Sequence, residues 1–228
     1  MDITHHYIRC GEGEPLILLH GNGEDVSYFE HQVEAFAAAG YDVIALDTRG
    51  HGATPRGTAP FTIRQFADDL RDFMDRLDIP CAHLLGFSDG GNIALVFALR
   101  YPERVGKLIL NGANLDASGV RRSVQIPIEL GYRIARLFAY RSESARRKTE
   151  LLGLMVDDPN VAAAELCRIS SPTLVIAGTN DMIKASHTRL IADSIPHARL
   201  VLIEGDHFIA NRHPVPFNRA VLDFLTQD

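Results

Sequence analysis

His83-Leu84-Leu85-Gly86-Phe87-Ser88-Asp89-Gly90-Gly91-Asn92 joins a short apolar run to an amphipathic one that continues to Arg100. The run His83 to Leu85 reads as a buried strand and Gly90 to Arg100 as a helix, so Ser88 stands at the turn between them. A strand turning this sharply forces its pivot into a strained backbone conformation. Glycine two positions to either side removes the side chains that would collide there, and Gly91 lets helix and strand approach closely. The spacing predicts a serine hydroxyl raised above one edge of a sheet. A serine that merely caps the helix would give the same turn, so the remaining weight rests on what else the chain brings to that edge.

Outward from this point, short apolar runs alternate with longer amphipathic ones, the signature of strands crossed over by helices into a largely parallel sheet. The strands expected are Leu16 to Leu19, Val43 to Leu46, His83 to Leu85, Leu108 to Leu110, Thr173 to Ala177 and Leu200 to Ile203. Before them, Ile3 to Cys10 is expected to pair through the turn Gly11-Glu12-Gly13. Ile63, Phe66, Leu70, Phe73 and Leu77 recur at helical spacing behind Thr62, which forms a capping box with Gln65. Further helices are expected over Asp25 to Ala39, Ser186 to Ser194 and Pro214 to Leu225. Residues 113–168 break the rhythm, with helical patterning at Ile128, Ile134, Leu137 and Phe138 and no convincing strand. This divides the chain into a core of residues 1–112 and 169–228 and a small helical cap of residues 113–168. Between Arg121 and Lys148 there are eight Lys or Arg against two Asp or Glu, an excess suited either to steering an anionic ligand or to solvating short helices.

The chain has 228 residues, 46% of them hydrophobic, with a formal net charge of −6. Such a composition supports one large core and excludes disordered and fibrous classes. The acidic balance argues against nucleic acid, whose affinity is dominated by cations on phosphate. Cys10, Cys81 and Cys167 form no paired motif, so neither a disulfide framework nor a zinc site is expected. The start, Met1-Asp2-Ile3-Thr4-His5-His6, lacks a cationic region followed by an apolar run, and no stretch is long enough to span a bilayer. A cytoplasmic protein with no membrane partner is expected, and the oligomeric state is not set by these features.

A serine hydroxyl is a poor nucleophile without a base to take its proton. Of the ten histidines, His207 follows the last apolar strand directly, in Gly205-Asp206-His207-Phe208, and so falls at the carboxyl edge of the sheet. Asp181 follows the Thr173 to Ala177 strand through Gly178-Thr179-Asn180 and reaches the same edge, where it would fix the imidazole tautomer. Asp206 is its rival by proximity alone. His20-Gly21-Asn22-Gly23 ends the first strand and offers the backbone N–H of Asn22, which with that of Asp89 would receive a developing negative oxygen. His20 and His51 lie in glycine turns and are read as loop scaffolding.

His20-Gly21-Asn22-Gly23, Asp47-Thr48-Arg49-Gly50-His51-Gly52, Gly86-Phe87-Ser88-Asp89-Gly90, Asp181 and Gly205-Asp206-His207 together resemble, in chain order, the landmarks of the α/β-hydrolase superfamily. The resemblance implies a mostly parallel sheet flanked by helices under a small helical cap, with a triad of Ser88, Asp181 and His207 and no metal or organic cofactor. It implies a serine hydrolase acting on a small carboxylic ester through an acyl-enzyme. It implies that Asp47 and His51 scaffold a turn after a strand, and serine at position 88 argues against the branches that need a carboxylate nucleophile. The stretch Gly86 to Gly91 is similar to the elbow of valacyclovir-hydrolase-like enzymes, which implies a preference for amino-acid esters, with the Asp89 carboxylate receiving the α-ammonium group and Glu24 and Asp25 adding to an acidic mouth; the alternative is that Asp89 turns toward the helix N-terminus and serves only its dipole. The alternatives are carbon–carbon or lactone hydrolysis on the same triad and, in a different class, a ligand receptor with little turnover.

Overall fold

The computed structural model describes residues 2–227, which leaves outside it Met1, where the reading of the chain start began. Seven strands form one sheet: β1 (Tyr7–Cys10), β2 (Glu14–Leu19), β3 (Tyr41–Leu46), β4 (Ala82–Phe87), β5 (Val105–Asn111), β6 (Thr173–Gly178) and β7 (Ala198–Ile203). Their order is β1-β3-β2-β4-β5-β6-β7. All neighbours run parallel except β1, which is antiparallel to β3. The six expected apolar runs are all strands, and β3 and β6 are buried along their whole length, as strands covered on both faces must be.

The expected pairing of the first segment through Gly11 to Gly13 is not the one found. Only residues 7–10 form a strand, and it pairs with β3 (Tyr7 opposite Leu46) rather than with β2. The glycine turn is pressed against the start of β3, where a Cβ on Gly11 would lie 2.3 Å from the Tyr41 carbonyl. β3 therefore slots between β1 and β2. β1 itself is exposed throughout and closes the edge of the sheet.

Helices cover both faces. On one side α2 (Ile63–Arg76), α3 (Asp89–Arg100) and α6 (Ala185–Ser194) pack Phe66, Leu70, Ile93, Phe97 and Ile191 onto the sheet. On the other, α1 (Val33–Ala38), α7 (Ile209–Arg212) and α8 (Pro214–Leu225) bring Phe36, Ile209, Phe217 and Val221. Half of the capping box is present: Thr62 Oγ1 accepts from the Gln65 backbone N–H at 3.2 Å, while the Gln65 side chain donates instead to Asp69. The single helix expected over residues 25–39 is broken into a 3-10 turn (Val26–Phe29) and α1. The Val26 N–H is claimed by Asp47 at the end of β3 (2.8 Å), and the buried Gln32 side chain is drawn to Ala210 and Asn218, so tertiary partners override a continuous helix.

Between β5 and β6 lie a 3-10 turn (Ala117–Gly119), α4 (Arg122–Phe138), α5 (Glu143–Asp157) and a second 3-10 stretch (Ala163–Arg168). Leu115, Val161 and Leu166 belong to the same buried cluster as α2 and α3. α5 adds Leu154 to that cluster, whereas α4 contributes no residue to it.

Candidate active site

Ser88 has φ +53° and ψ −119°, in the left-handed half of backbone space where only glycine is at ease. The flanking glycines make this possible: a Cβ on Gly86 would lie 2.2 Å from the Gly90 carbonyl, and one on Gly90 would lie 2.0 Å from that of Leu19. The hydroxyl stands at the carboxyl end of β4, with the loops after β6 and β7 beside it.

His207 Nε2 lies 3.0 Å from Ser88 Oγ, and His207 Nδ1 lies 2.7 Å from Asp181 Oδ1. The tautomer follows from the partners. Ionised Asp181 can only accept, so Nδ1 carries the proton and the Nε2 lone pair faces the serine hydroxyl. His207 is 4% exposed and Asp181 2%, and Asp181 Oδ1 also accepts from the Ile183 backbone N–H at 2.8 Å. The structure thus brings Ser88, His207 and Asp181 together in the expected order. Asp206 is turned away, its carboxylate held by the Phe208 N–H and by Arg212.

Neither the Asn22 nor the Asp89 backbone N–H is engaged by a protein acceptor among the described residues. Asp89 follows Ser88 directly, its N–H at the positive end of α3, and the Asn22 side chain ties its loop to the Asp89 carboxylate. An unengaged pair of amides beside a nucleophile can stabilise an oxygen that becomes negative. The loop bearing Asn22 is firmly built. His20 Nδ1 donates to Gly21 O (2.7 Å) while Nε2 accepts the Thr48 N–H (3.1 Å), and burial lowers the pKa of this imidazole. Asp47 accepts from Val26, Ala53 and His6, and His51 Nδ1 lies 3.0 Å from the Arg49 carbonyl. All three are scaffolding.

The Asp89 carboxylate does not open onto an acyl pocket. It is 7% exposed, and its two oxygens accept from the side-chain amides of Asn22 (2.9 Å) and Asn92 (3.3 Å). Burial pushes its pKa up to about 6. A carboxyl committed in this way offers little to an ammonium group, so the expected amine site at Asp89 finds no support here. Asp25 caps the 3-10 turn through Ser27 instead of lining a mouth. Glu24 does remain beside the site, its Oε2 accepting the Gly21 N–H at 3.1 Å, and burial raises its pKa to about 7.

Several contributors escaped the sequence reading. Gly112, at φ +63°, makes room for the imidazole: a Cβ there would lie 2.7 Å from His207 Cε1. A glycine directly after an apolar strand was the available signal. Phe87 packs 4.8 Å from the His207 ring and stacks on Tyr28 at 4.3 Å, giving the site one aromatic wall. The Leu151 carbonyl of α5 accepts from Asn22 at 2.7 Å, so the helical pair reaches down to the loop beside the nucleophile. Among the described residues no group of three His, Cys, Asp or Glu is arranged to hold a metal, and no helix is long and apolar enough to cross a membrane.

A strained serine, a histidine and an aspartate at the carboxyl edge of a mostly parallel sheet define the class of hydrolases built on this architecture. The family profile described as alpha/beta hydrolase fold matches residues 14–149, and the chain belongs to that family. One relative, a 2-hydroxy-6-oxononadienedioate/2-hydroxy-6-oxononatrienedioate hydrolase of Pseudomonas putida, is 30% identical over 270 aligned positions that cover 99% of this chain and 93% of the relative. Among solved structures, a meta-cleavage product hydrolase from Pseudomonas fluorescens IP01 superposes with TM-score 0.79 at 27% identity, covering 98% of this chain and 94% of its own. The enol-lactonase from Burkholderia xenovorans LB400 superposes with TM-score 0.78 at 26% identity, covering 98% and 96%.

Proposed function

We propose that this chain is a serine hydrolase that cleaves the carbon–carbon bond beside the ketone of a 2-hydroxy-6-oxo-dienoate. One observation carries the reading: the alignment with a 2-hydroxy-6-oxononadienedioate/2-hydroxy-6-oxononatrienedioate hydrolase, 30% identical, spans 99% of the chain and 93% of the relative. Simple ester hydrolysis, the first expectation from the sequence, becomes the comparison arm of the test.

The chemistry suits the arrangement around Ser88. When the 2-hydroxy group shifts to its keto form, its proton moving to C5, a break beside the 6-oxo carbon leaves on C5 an electron pair that is delocalised through the one remaining carbon–carbon double bond to the 2-oxo oxygen. Carbon then behaves as a leaving group. Ser88 Oγ attacks the 6-oxo carbon as His207 takes its proton, and the N–H groups of Asn22 and Asp89 hold the oxyanion. The carbon–carbon bond breaks, and the leaving carbon takes the proton from His207. Water, activated by His207, then releases the acyl group from Ser88, so that one hydrogen and one hydroxyl are added overall. Side chains and water supply every group these steps use. An intact triad favours this over a receptor with little turnover.

Lactone opening is the second reading, supported by the chain-wide likeness to an enol-lactonase; the same two amides would serve an acyl oxygen equally well. The purified protein should be offered a 2-hydroxy-6-oxo-dienoate, an enol-lactone and p-nitrophenyl esters in parallel. The proposal expects the highest kcat/KM on the dienoate, with a carboxylic acid among the products. Turnover of lactone or ester with none of the dienoate would overturn it.

A further inference from the structure

Of the twelve large hydrophobic residues exposed among the described residues, six fall within one helical element and the residues just after it: Ile126, Leu130, Ile134, Leu137 and Phe138 on α4, and Tyr140 beyond it, each 50–75% exposed. The α4 positions step by four, four, three and one, so they lie on one face of the helix and form a stripe about 18 Å long. The opposite face is already occupied. Gln125 donates to the Met155 carbonyl and Tyr132 to Asp157, both on α5, and a Cβ on Gly131 would touch Leu152. The stripe is therefore the face of α4 that α5 leaves uncovered. A contiguous apolar face of this kind on a soluble protein marks a contact surface.

Charge decides what covers it. Arg122, Arg133 and Arg136 project along one edge of the stripe by helical geometry, with Arg121 at the start of the helix and Arg141 just after its end. Among the described residues none of these five, nor Lys148 on α5, has a carboxylate within 4.0 Å. The segment from Arg121 to Lys148 holds eight cations and two anions in a chain whose net charge is −6, so the rest of the molecule is strongly acidic. A second copy would set one basic edge against another and pay in repulsion. An anionic surface would attract this face and repel every other.

We propose that the outer face of α4 docks the protein onto an anionic lipid surface, the apolar stripe entering the interface and the arginines meeting the headgroups. An amphipathic helix with Ile, Leu and Phe on one side and Arg beside them is suited to lying in the plane of a membrane. No spanning helix is needed.

Co-sedimentation of the full chain with phosphatidylcholine vesicles, and with vesicles rich in phosphatidylglycerol, tests this. Binding is expected only to the anionic vesicles, falling as salt is raised. Arg133→Gln and Arg136→Gln should each weaken it about fivefold, the effect of one cation near a charged bilayer, and Leu130→Ser with Leu137→Ser should abolish it. All of these are exposed, and labelling of Ser88 by a fluorophosphonate confirms that each variant is folded. Equal binding to both vesicle types, or none to either, would overturn the proposal. So would a concentration-dependent dimer that Leu130→Ser dissociates, which would assign the stripe to a second copy of the chain.

Discussion

The side-chain amide of Asn22 donates one hydrogen to the Asp89 carboxylate at 2.9 Å and the other to the Leu151 carbonyl at 2.7 Å. One residue thus ties the loop after β2, the first turn of α3 and the inner helix of the helical pair. Asn22→Ala keeps the backbone N–H but frees both partners, and it leaves the Asp89 carboxyl buried with one donor fewer. We expect kcat to fall about tenfold, an effect of loosened geometry, and amide exchange over residues 143–157 to accelerate. Unchanged exchange with reduced kcat would place the effect in the loop alone.

The Asp181 carboxylate lies 2.7 Å from His207 Nδ1 and, among the described residues, accepts one other hydrogen bond, from the Ile183 N–H. Asn at 181 can present an N–H to Nδ1 and so favour the wrong tautomer, with the proton on Nε2. Asp181→Asn is expected to lower kcat on the order of 10⁴-fold, while Asp206→Asn, whose partners are Phe208 and Arg212, should change it little. The two variants measured side by side decide which carboxylate orients the imidazole.

The elbow, the triad order and the parallel strands were legible because each depends on local rules: glycine where a Cβ has no room, apolar runs where a strand is covered twice, and a polar residue just past a strand end. The position of β1 was not legible, since a glycine turn specifies a reversal without saying which strand will lie beside it. Continuity of the helix over 25–39 failed for a related reason, because the claims of Asp47 on Val26 and of Ala210 on Gln32 come from far along the chain. The carboxylate of Asp89 was visible as a charge next to the nucleophile, but its two amide partners, Asn22 and Asn92, were not. Only their geometry turns an apparent ligand into an internal brace.

Gly112 sits where a methyl group would lie 2.7 Å from His207 Cε1 and 2.9 Å from Nδ1, at φ +63°. Gly112→Ala is therefore expected to displace the imidazole and to strain the backbone, at a cost of about 1–3 kcal/mol in stability. Its effect on catalysis should be larger than its effect on folding, because an ångström of displacement at the base can cost about 10²-fold. Fluorophosphonate labelling of Ser88 would report the lost activation, and thermal unfolding would report the strain. Equal labelling rates in the two proteins would show that the ring has room to spare.

Glu24 supplies the pH dependence. Burial raises its pKa from the ordinary 4.5 to about 7, although the hydrogen bond from the Gly21 N–H favours the ionised form. The unfolded chain releases this proton near pH 4.5, while the folded chain holds it to about 7. The folded state thus binds more protons in that window, and this contribution to stability is fully present below it, declines as pH rises through it and stays lost above it. Glu24→Gln keeps an oxygen for the Gly21 N–H without a charge to bury. Relative to the parent, it should melt a few degrees higher at pH 8 and show little or no gain at pH 5. A gain of equal size at both values would mean that the carboxylate is solvated in the folded protein, and that the loop beside Ser88 feels no charge from it.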